Sequence, residues 1–202
     1  MHDLIAITPM GGQAPRTDTH AGVTLTEVCT VALASVAARA GQAQATFALI
    51  TDQIGTQPPA PGRHAGTQAS TQAGSQAGTG MQAFWISPDM WMIEAPLEQY
   101  DDLAAHLTGL AAGCASITEQ TDAWCRFDLS GPNLSAVCAL LCPVDLRGMA
   151  EGHATGLATR TTIDHLGGFL ICRSATDLTI YGPRSGAVSL HHALETAMRA
   201  AL

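Results

Sequence analysis

The stretch CASITEQTDAWCRFDLSGPNLSAVCALLCPVDL, Cys114 to Leu146, reads as strand, strand, turn, helix and stop. From Ala123 to Leu129 the side chains alternate. Ala123, Cys125, Phe127 and Leu129 face one way; Trp124, Arg126 and Asp128 face the other. Ser130-Gly131-Pro132 ends that strand. Pro132 suits a first helical position, because its φ is already helical and its missing N–H has no partner there anyway. A helix is predicted from about Pro132 to Leu141. It stops at Cys142-Pro143, since a residue before proline is pushed out of the α region.

Outward from this core, Cys114 to Glu119 reads as the preceding strand. Further upstream, a helix is predicted from about Pro96 to Ala112, with Leu97, Tyr100, Leu103, Leu107 and Leu110 as its apolar stripe and Gly113 just past its end. Gln82 to Ile86 and Met90 to Glu94 are strands joined at Ser87-Pro88-Asp89. Val31 to Ala38 is a first strand, and Gln44 to Ile54 a helix stopped by Gly55. Downstream, strands are predicted near Thr155 to Ile163, Gly168 to Arg173 and Leu178 to Gly182, with turns at Gly167-Gly168 and 174–177. The last helix spans about Ser185 to Ala201, with Ser185 as N-cap and Ala187, Leu190, Leu194, Ala197 and Ala201 inward.

Two segments stand apart. Residues 1–22 are rich in Gly, Pro and Thr and are expected to be a flexible N-terminal segment. Residues 56–80 repeat Ala-Gly-Thr/Ser-Gln without a large apolar side chain, the composition of a disordered surface loop. Residues 23–202 are then one domain. The order is β-α-β-β-α-β followed by β-α-β-β-β-α. It predicts an α+β, two-layer fold of duplicated split β-α-β (ferredoxin-like) units, with helices on one face of each sheet.

Composition excludes several chemistries. All nine basic residues are arginine, and net charge is −8. Without lysine there is no Schiff base, no pyridoxal phosphate attachment and no P-loop lysine. An acidic chain without a basic cluster is also a poor ligand for nucleic acid or anionic membranes. No run reaches the roughly 18 apolar residues that cross a bilayer. MHDLIAITPMGG lacks the marks of a signal peptide, so a cytoplasmic protein with free thiols is expected.

No catalytic, cofactor-binding or metal-binding residue stands out. There is no G-x-S-x-G elbow and no G-x-G-x-x-G opening a helix. Cys138 and Cys142 share a helix face without a second pair at metal spacing, so core packing is the expectation. His191 and His192 point about 100° apart and do not chelate one ion. Trp91 belongs to the core. The candidate interface residues are Trp124, Arg126 and Asp128, on the strand face that helices leave open, together with Arg184. Arg184 lies beside a helix start, where the dipole disfavours a cation; it calls for a carboxylate partner, Asp145 or Asp177.

A set of landmarks resembles the γ-subunit family of heterotetrameric sarcosine oxidase. They are Val23-Thr24-Leu25-Thr26-Glu27, Ser87-Pro88-Asp89-Met90-Trp91-Met92-Ile93, Asp122 with Leu129-Ser130-Gly131-Pro132, Cys142-Pro143-Val144-Asp145-Leu146, and Leu178 to Ser185. Met90 departs from the family's usual acidic residue, and the last helix lacks its tryptophans. The resemblance implies a fold similar to the aminomethyltransferase folate-binding domain. It also implies a non-catalytic accessory chain in a complex that demethylates sarcosine to glycine, gives hydrogen peroxide and can pass the one-carbon unit to tetrahydrofolate. The implied partners are α, β and δ subunits. The implied FAD, FMN, NAD, zinc and tetrahydrofolate sites belong to them, and the isolated chain could form a homo-oligomer. The alternative is a stand-alone folate-binding or aminomethyltransferase-like one-carbon protein.

Overall fold

The computed structural model describes residues 5–66 and 80–202. The chain divides into two compact units. One comprises the chain up to Cys29 together with Ala123–Leu202; the other is Thr30–Asp122. The sequence reading took residues 23–202 as one domain; within the chain, each unit has its own sheet, its own helices and its own apolar core.

The Thr30–Asp122 unit contains β3 (Val31–Ala38), α1 (Ala43–Ile54), β4 (His64–Gly66), β5 (Gln82–Ser87), β6 (Met90–Pro96), α2 (Leu103–Ala111) and β7 (Ala115–Glu119). Its sheet order is β4-β5-β6-β3-β7, with every pair antiparallel. β3 and β5 are therefore parallel to each other and split by β6, a split β-α-β unit. Ala32, Ala34 and Val36 of β3 and Ile93 and Ala95 of β6 meet Ile50 and Ile54 of α1 and Leu103 and Leu107 of α2. Strand alanines leave room for the helix side chains.

The other unit contains β1 (Thr17–His20), β2 (Val23–Val28), β8 (Trp124–Ser130), α3 (Leu134–Ala139), β9 (Ala158–Ile163), β10 (Leu166–Cys172), β11 (Asp177–Pro183) and α4 (Ala187–Ala201). Its sheet order is β1-β2-β8-β11-β10-β9, again antiparallel throughout. β8 and β10 are parallel and split by β11, so the same motif recurs. The strand beside β8 that completes it is β2, from the far end of the sequence. Val23, Leu25, Cys125, Phe127, Leu129, Leu178 and Ile180 face Leu134 and Val137 of α3 and Leu190, Leu194 and Met198 of α4. Fully burying one such side chain contributes about 1.5–3 kcal/mol.

Gly131 explains the Ser130-Gly131-Pro132 turn. Its φ is +139°, and a Cβ there would lie 2.5 Å from the Gly22 carbonyl oxygen and 2.9 Å from Val23 Cα. Only glycine lets β8 end against β2 at this distance.

Several boundaries differ from the sequence reading. β1 and β2 were not foreseen as strands. They form a hairpin through Ala21 (φ 47°) and Gly22 (φ 83°), both left-handed, so part of the expected flexible segment is ordered. The expected loop 56–80 is structured at its start: Pro58 and Pro59 are buried, Trp91 Nε1 donates to the Pro59 carbonyl at 3.0 Å, and His64–Gly66 pairs with β5. The rest of that expectation falls on 67–79, outside the described residues.

α2 begins at Leu103, not Pro96, because Asp102 Oδ1 caps it by accepting Ala105 N–H at 2.8 Å. Leu110 is consequently exposed, and Ala111 takes the inward position. α3 starts after Asn133 rather than at Pro132. Gly167-Gly168 lies inside β10, and the turn is Asp164-His165. A Cβ on Gly168 would meet the Tyr181 carbonyl oxygen at 2.2 Å, so this glycine serves strand packing. α4 is preceded by a 3₁₀ turn, Arg184–Gly186, and Gly186 replaces Ser185 as N-cap.

Gly131→Ala is expected to cost about 2–4 kcal/mol, combining a disfavoured φ with overpacking. Gly109→Ala, where nothing lies within 4 Å, should gain up to about 1 kcal/mol of helix propensity. Urea unfolding of both variants tests the contrast; equal midpoints would contradict it.

Candidate functional site

The face of the β8 sheet turned away from α3 and α4 carries the foreseen interface residues, but it is not the open face the sequence suggested: Thr179, Tyr181, Phe169 and Ile171 are buried on it, and Trp124, Arg126 and Asp128 are half-buried. Register aligns Arg126 with Tyr181 and Val28, Tyr181 with Phe169, and Phe169 with Arg160. This makes one row across the sheet in which two aromatic side chains, Tyr181 and Phe169, lie between two arginines, Arg126 and Arg160. The neighbouring row holds Asp128, Thr179 and Ile171.

Arg126 and Asp128 meet in a two-pronged ion pair, Nε to Oδ1 at 2.8 Å and a terminal nitrogen to Oδ2 at 2.7 Å. Residues two apart on a strand share a face, and this pair lies along it. The Arg126 guanidinium also sits 5.9 Å from the Tyr181 ring centre, with a terminal nitrogen 3.5 Å from the Tyr181 hydroxyl. Thr179, 1% exposed, donates its hydroxyl proton to Asp128 Oδ1 at 2.8 Å and accepts from Arg173 Nε at 3.1 Å. The Trp124 ring packs edge-on against Phe169, with centroids 5.1 Å apart. Three foreseen residues thus come together, but Arg126 is tied into an intramolecular network rather than presented as a loose anchor.

Arg184 is not part of this group. Its guanidinium donates to the Ile7 carbonyl at 3.2 Å. The expected carboxylates are engaged elsewhere: Asp145 pairs with Arg147 at 2.6 Å, which holds the Asp145 carboxyl down at about 2, and Asp177 bonds Ser174 and Thr176.

A second polar cluster was missed in the sequence. Glu27 is 1% exposed and accepts the backbone N–H groups of Met10 and Arg16 at 2.9 and 3.1 Å. The alternation Val23, Leu25, Glu27 places a carboxylate at a core-face position, a signal that could have found it. Asp18 is held by Arg16 at 2.7 Å and by the buried His191 Nε2 at 2.8 Å. The Arg16 hydrogen bond lowers the Asp18 carboxyl below its ordinary value, and His191 adds to this against the opposing effect of desolvation. This contribution to stability is present above the ordinary carboxylate range and is lost as pH falls through the lowered pKa.

The cysteines behave as small hydrophobes. Burial pushes Cys125 up to about 11 and Cys138 up to about 12, and raises Cys29, Cys142 and Cys172 as well. Among the described residues, no group of three or more His, Cys, Asp or Glu side chains could hold a metal ion. A groove of about 420 Å³ lies between α3 and α4, but its polar lining residues Asp164, Ser189, His192 and Thr196 are all exposed. Among the described residues, no helix is long and apolar enough to cross a membrane.

Thr179→Val keeps the shape and removes the hydroxyl between Asp128 and Arg173. It should cost about 1–3 kcal/mol in urea unfolding, the penalty for buried polar atoms losing a partner; an unchanged midpoint would show the network to be energetically idle. At pH 8, Cys125 and Cys138 should resist a disulfide reagent in the native chain and react after urea is added. Rapid native labelling of either, located by peptide mass, would refute their burial.

No family model matches the sequence, and no curated protein sequence is significantly similar. Solved structures do match. A chain of heterotetrameric sarcosine oxidase from Corynebacterium sp. U-96 superposes with a TM-score of 0.71 at 22% identity, over 88% of this chain and 84% of that one. The glycine cleavage system aminomethyltransferase T from Bartonella henselae superposes with a TM-score of 0.60 at 15% identity, over 87% of this chain. The chain spans 46% of that protein's length. The paired split β-α-β units are therefore an α+β fold similar to that of the sarcosine oxidase chain and of part of the aminomethyltransferase.

Proposed function

We propose that this chain is a non-catalytic accessory subunit, of the γ type, in a heterotetrameric sarcosine oxidase. The observation that carries the reading is the extent of the fold likeness. It spans 84% of a chain from such a complex, but only 46% of the aminomethyltransferase. A polypeptide matching most of one subunit, rather than under half of a larger enzyme, suits assembly. The landmarks from Val23-Thr24-Leu25-Thr26-Glu27 to Leu178–Ser185 point the same way. The absence of lysine removes the Schiff-base chemistry a stand-alone enzyme could use.

In this reading the α, β and δ subunits are the partners. They hold FAD, FMN, NAD, zinc and tetrahydrofolate, and they oxidise sarcosine to glycine with hydrogen peroxide as the other product. This chain contributes a folded scaffold, with the half-buried Trp124 and Arg126 held in place by the Arg126–Asp128–Thr179 network.

Co-expression with the flavin-bearing subunits tests the proposal. A yellow complex that contains this chain and forms peroxide from sarcosine is expected, with a colourless chain when expressed alone. A chain that stays separate and binds tetrahydrofolate by itself would overturn it in favour of a stand-alone one-carbon protein.

A further inference from the structure

We infer that the N-terminal arm, Ile7–His20, exchanges between two copies of this chain, each arm docking on the other copy in the place it holds on its own. The partner is a second copy, and the inference does not depend on the accessory-subunit reading.

The arm is matched to the rest of its unit by specific contacts. Arg184 donates to the Ile7 carbonyl at 3.2 Å. The buried Glu27 carboxylate accepts the N–H groups of Met10 and Arg16, and the Glu27 N–H donates to the Arg16 carbonyl at 2.8 Å. Asp18 meets His191, itself 3% exposed, at 2.8 Å. Glu27, Arg184 and His191 stand on the receiving side, and the groups they hold stand on the arm. A site that pairs a 1% exposed carboxylate with two main-chain N–H groups, and a buried imidazole with a carboxylate, selects the segment that supplies those groups in that order. That segment is this arm. Residues 21 and 22 are the link that makes both halves of each contact come from one copy.

The link is strained. Ala21 and Gly22 form the two-residue turn between β1 and β2, both exposed and both left-handed, with φ 47° and 83°. Glycine adopts this conformation freely, whereas the alanine Cβ crowds the following carbonyl. Opening the turn to an extended backbone relieves Ala21, and a short hinge under strain favours exchange between copies.

The register permits the exchange. Thr17↔Thr26, Asp18↔Leu25, Thr19↔Thr24 and His20↔Val23 are all related by one point midway between residues 21 and 22. When β1 and β2 run on as a single strand, a two-fold axis through that point pairs the strand with its copy in the same register. Every β1–β2 bond re-forms between copies, and Ala21 and Gly22 leave the turn to face each other as further ladder positions. The interface is isologous and closes at two copies. Charge opposes it: each copy carries −8, so association needs salt or high concentration.

Light scattering during size-exclusion chromatography of the isolated full chain, in about 0.5 M sodium chloride to shorten the screening length, compares wild type with Ala21→Asn and Ala21→Pro. Wild type should dimerise as its concentration rises. Asparagine before glycine favours the left-handed turn, so Ala21→Asn should weaken dimerisation at least about tenfold. Proline fixes φ at about −65° and forbids the turn, so Ala21→Pro should strengthen it. A Thr19→Cys/Thr24→Cys chain reports whose arm is docked, since the two parent hydroxyl oxygens lie 3.4 Å apart. On a non-reducing gel its oxidised monomer fraction should run as single chains and its dimer fraction as linked pairs. A wild type that stays monomeric at every soluble concentration overturns the exchange. A dimer fraction whose cysteines link only within chains overturns it in favour of docking between closed copies. An Ala21→Asn chain that dimerises as tightly as wild type overturns the role of the strained turn.

Discussion

The structure depends on strand β8 having a hydrogen-bonded neighbour on both sides. Its core-facing residues Cys125, Phe127 and Leu129 are fully buried, so its backbone groups cannot turn to water for partners. β11 supplies one edge and β2 the other. β2 stands at the opposite end of the sequence, and the whole Thr30–Asp122 unit is inserted between the two strands. Gly131 lets β8 end close against Gly22 and Val23. The register that follows sets the rest of the unit. It puts Phe127 against α4 and its buried His191, and it aligns Asp128 with Thr179 on the other face.

The same register determines what the foreseen interface residues can do. Arg126 is matched to a carboxylate on its own strand and a tyrosine on the next, and Thr179 links that carboxylate to Arg173. A network of this kind favours one side-chain arrangement over several. Trp124 contributes aromatic surface beside it. Arg184, by contrast, works on the N-terminal segment, together with Glu27 and the Asp18–His191 pair. Polar side chains that the alternation pattern places at core-facing or half-buried positions are here used to fasten a terminus.

The chain's side-chain chemistry and its fold likeness both extend along most of its length. Its chemistry is restrained: every basic residue is an arginine, and five of its cysteine thiols are raised above their ordinary value by burial. Its fold matches one chain of a multi-subunit oxidase along most of both lengths.

By itself, the sequence determined the local elements whose signals are short-range: the alternation of β8, the Gly55 stop of α1, the 82–94 hairpin and the inward stripe of α4. Each follows from periodicity or from a residue with restricted backbone freedom, and from these came the α+β class and its repeated split motif. Tertiary structure alone decided the partner of β8, the division into two units, and the fastening of residues 7–20, since strand pairing across some 100 positions leaves no local mark. The Ala21-Gly22 hairpin was missed because Ala-Gly is a weaker turn signal than Asn-Gly. Asp102 displaced Pro96 as the start of α2 because a cap is chosen by where the helix can bury Leu103 and Leu107. Arg126 could be placed on a face from sequence, but its binding to Asp128 and Tyr181 depended on which strand came to lie beside β8.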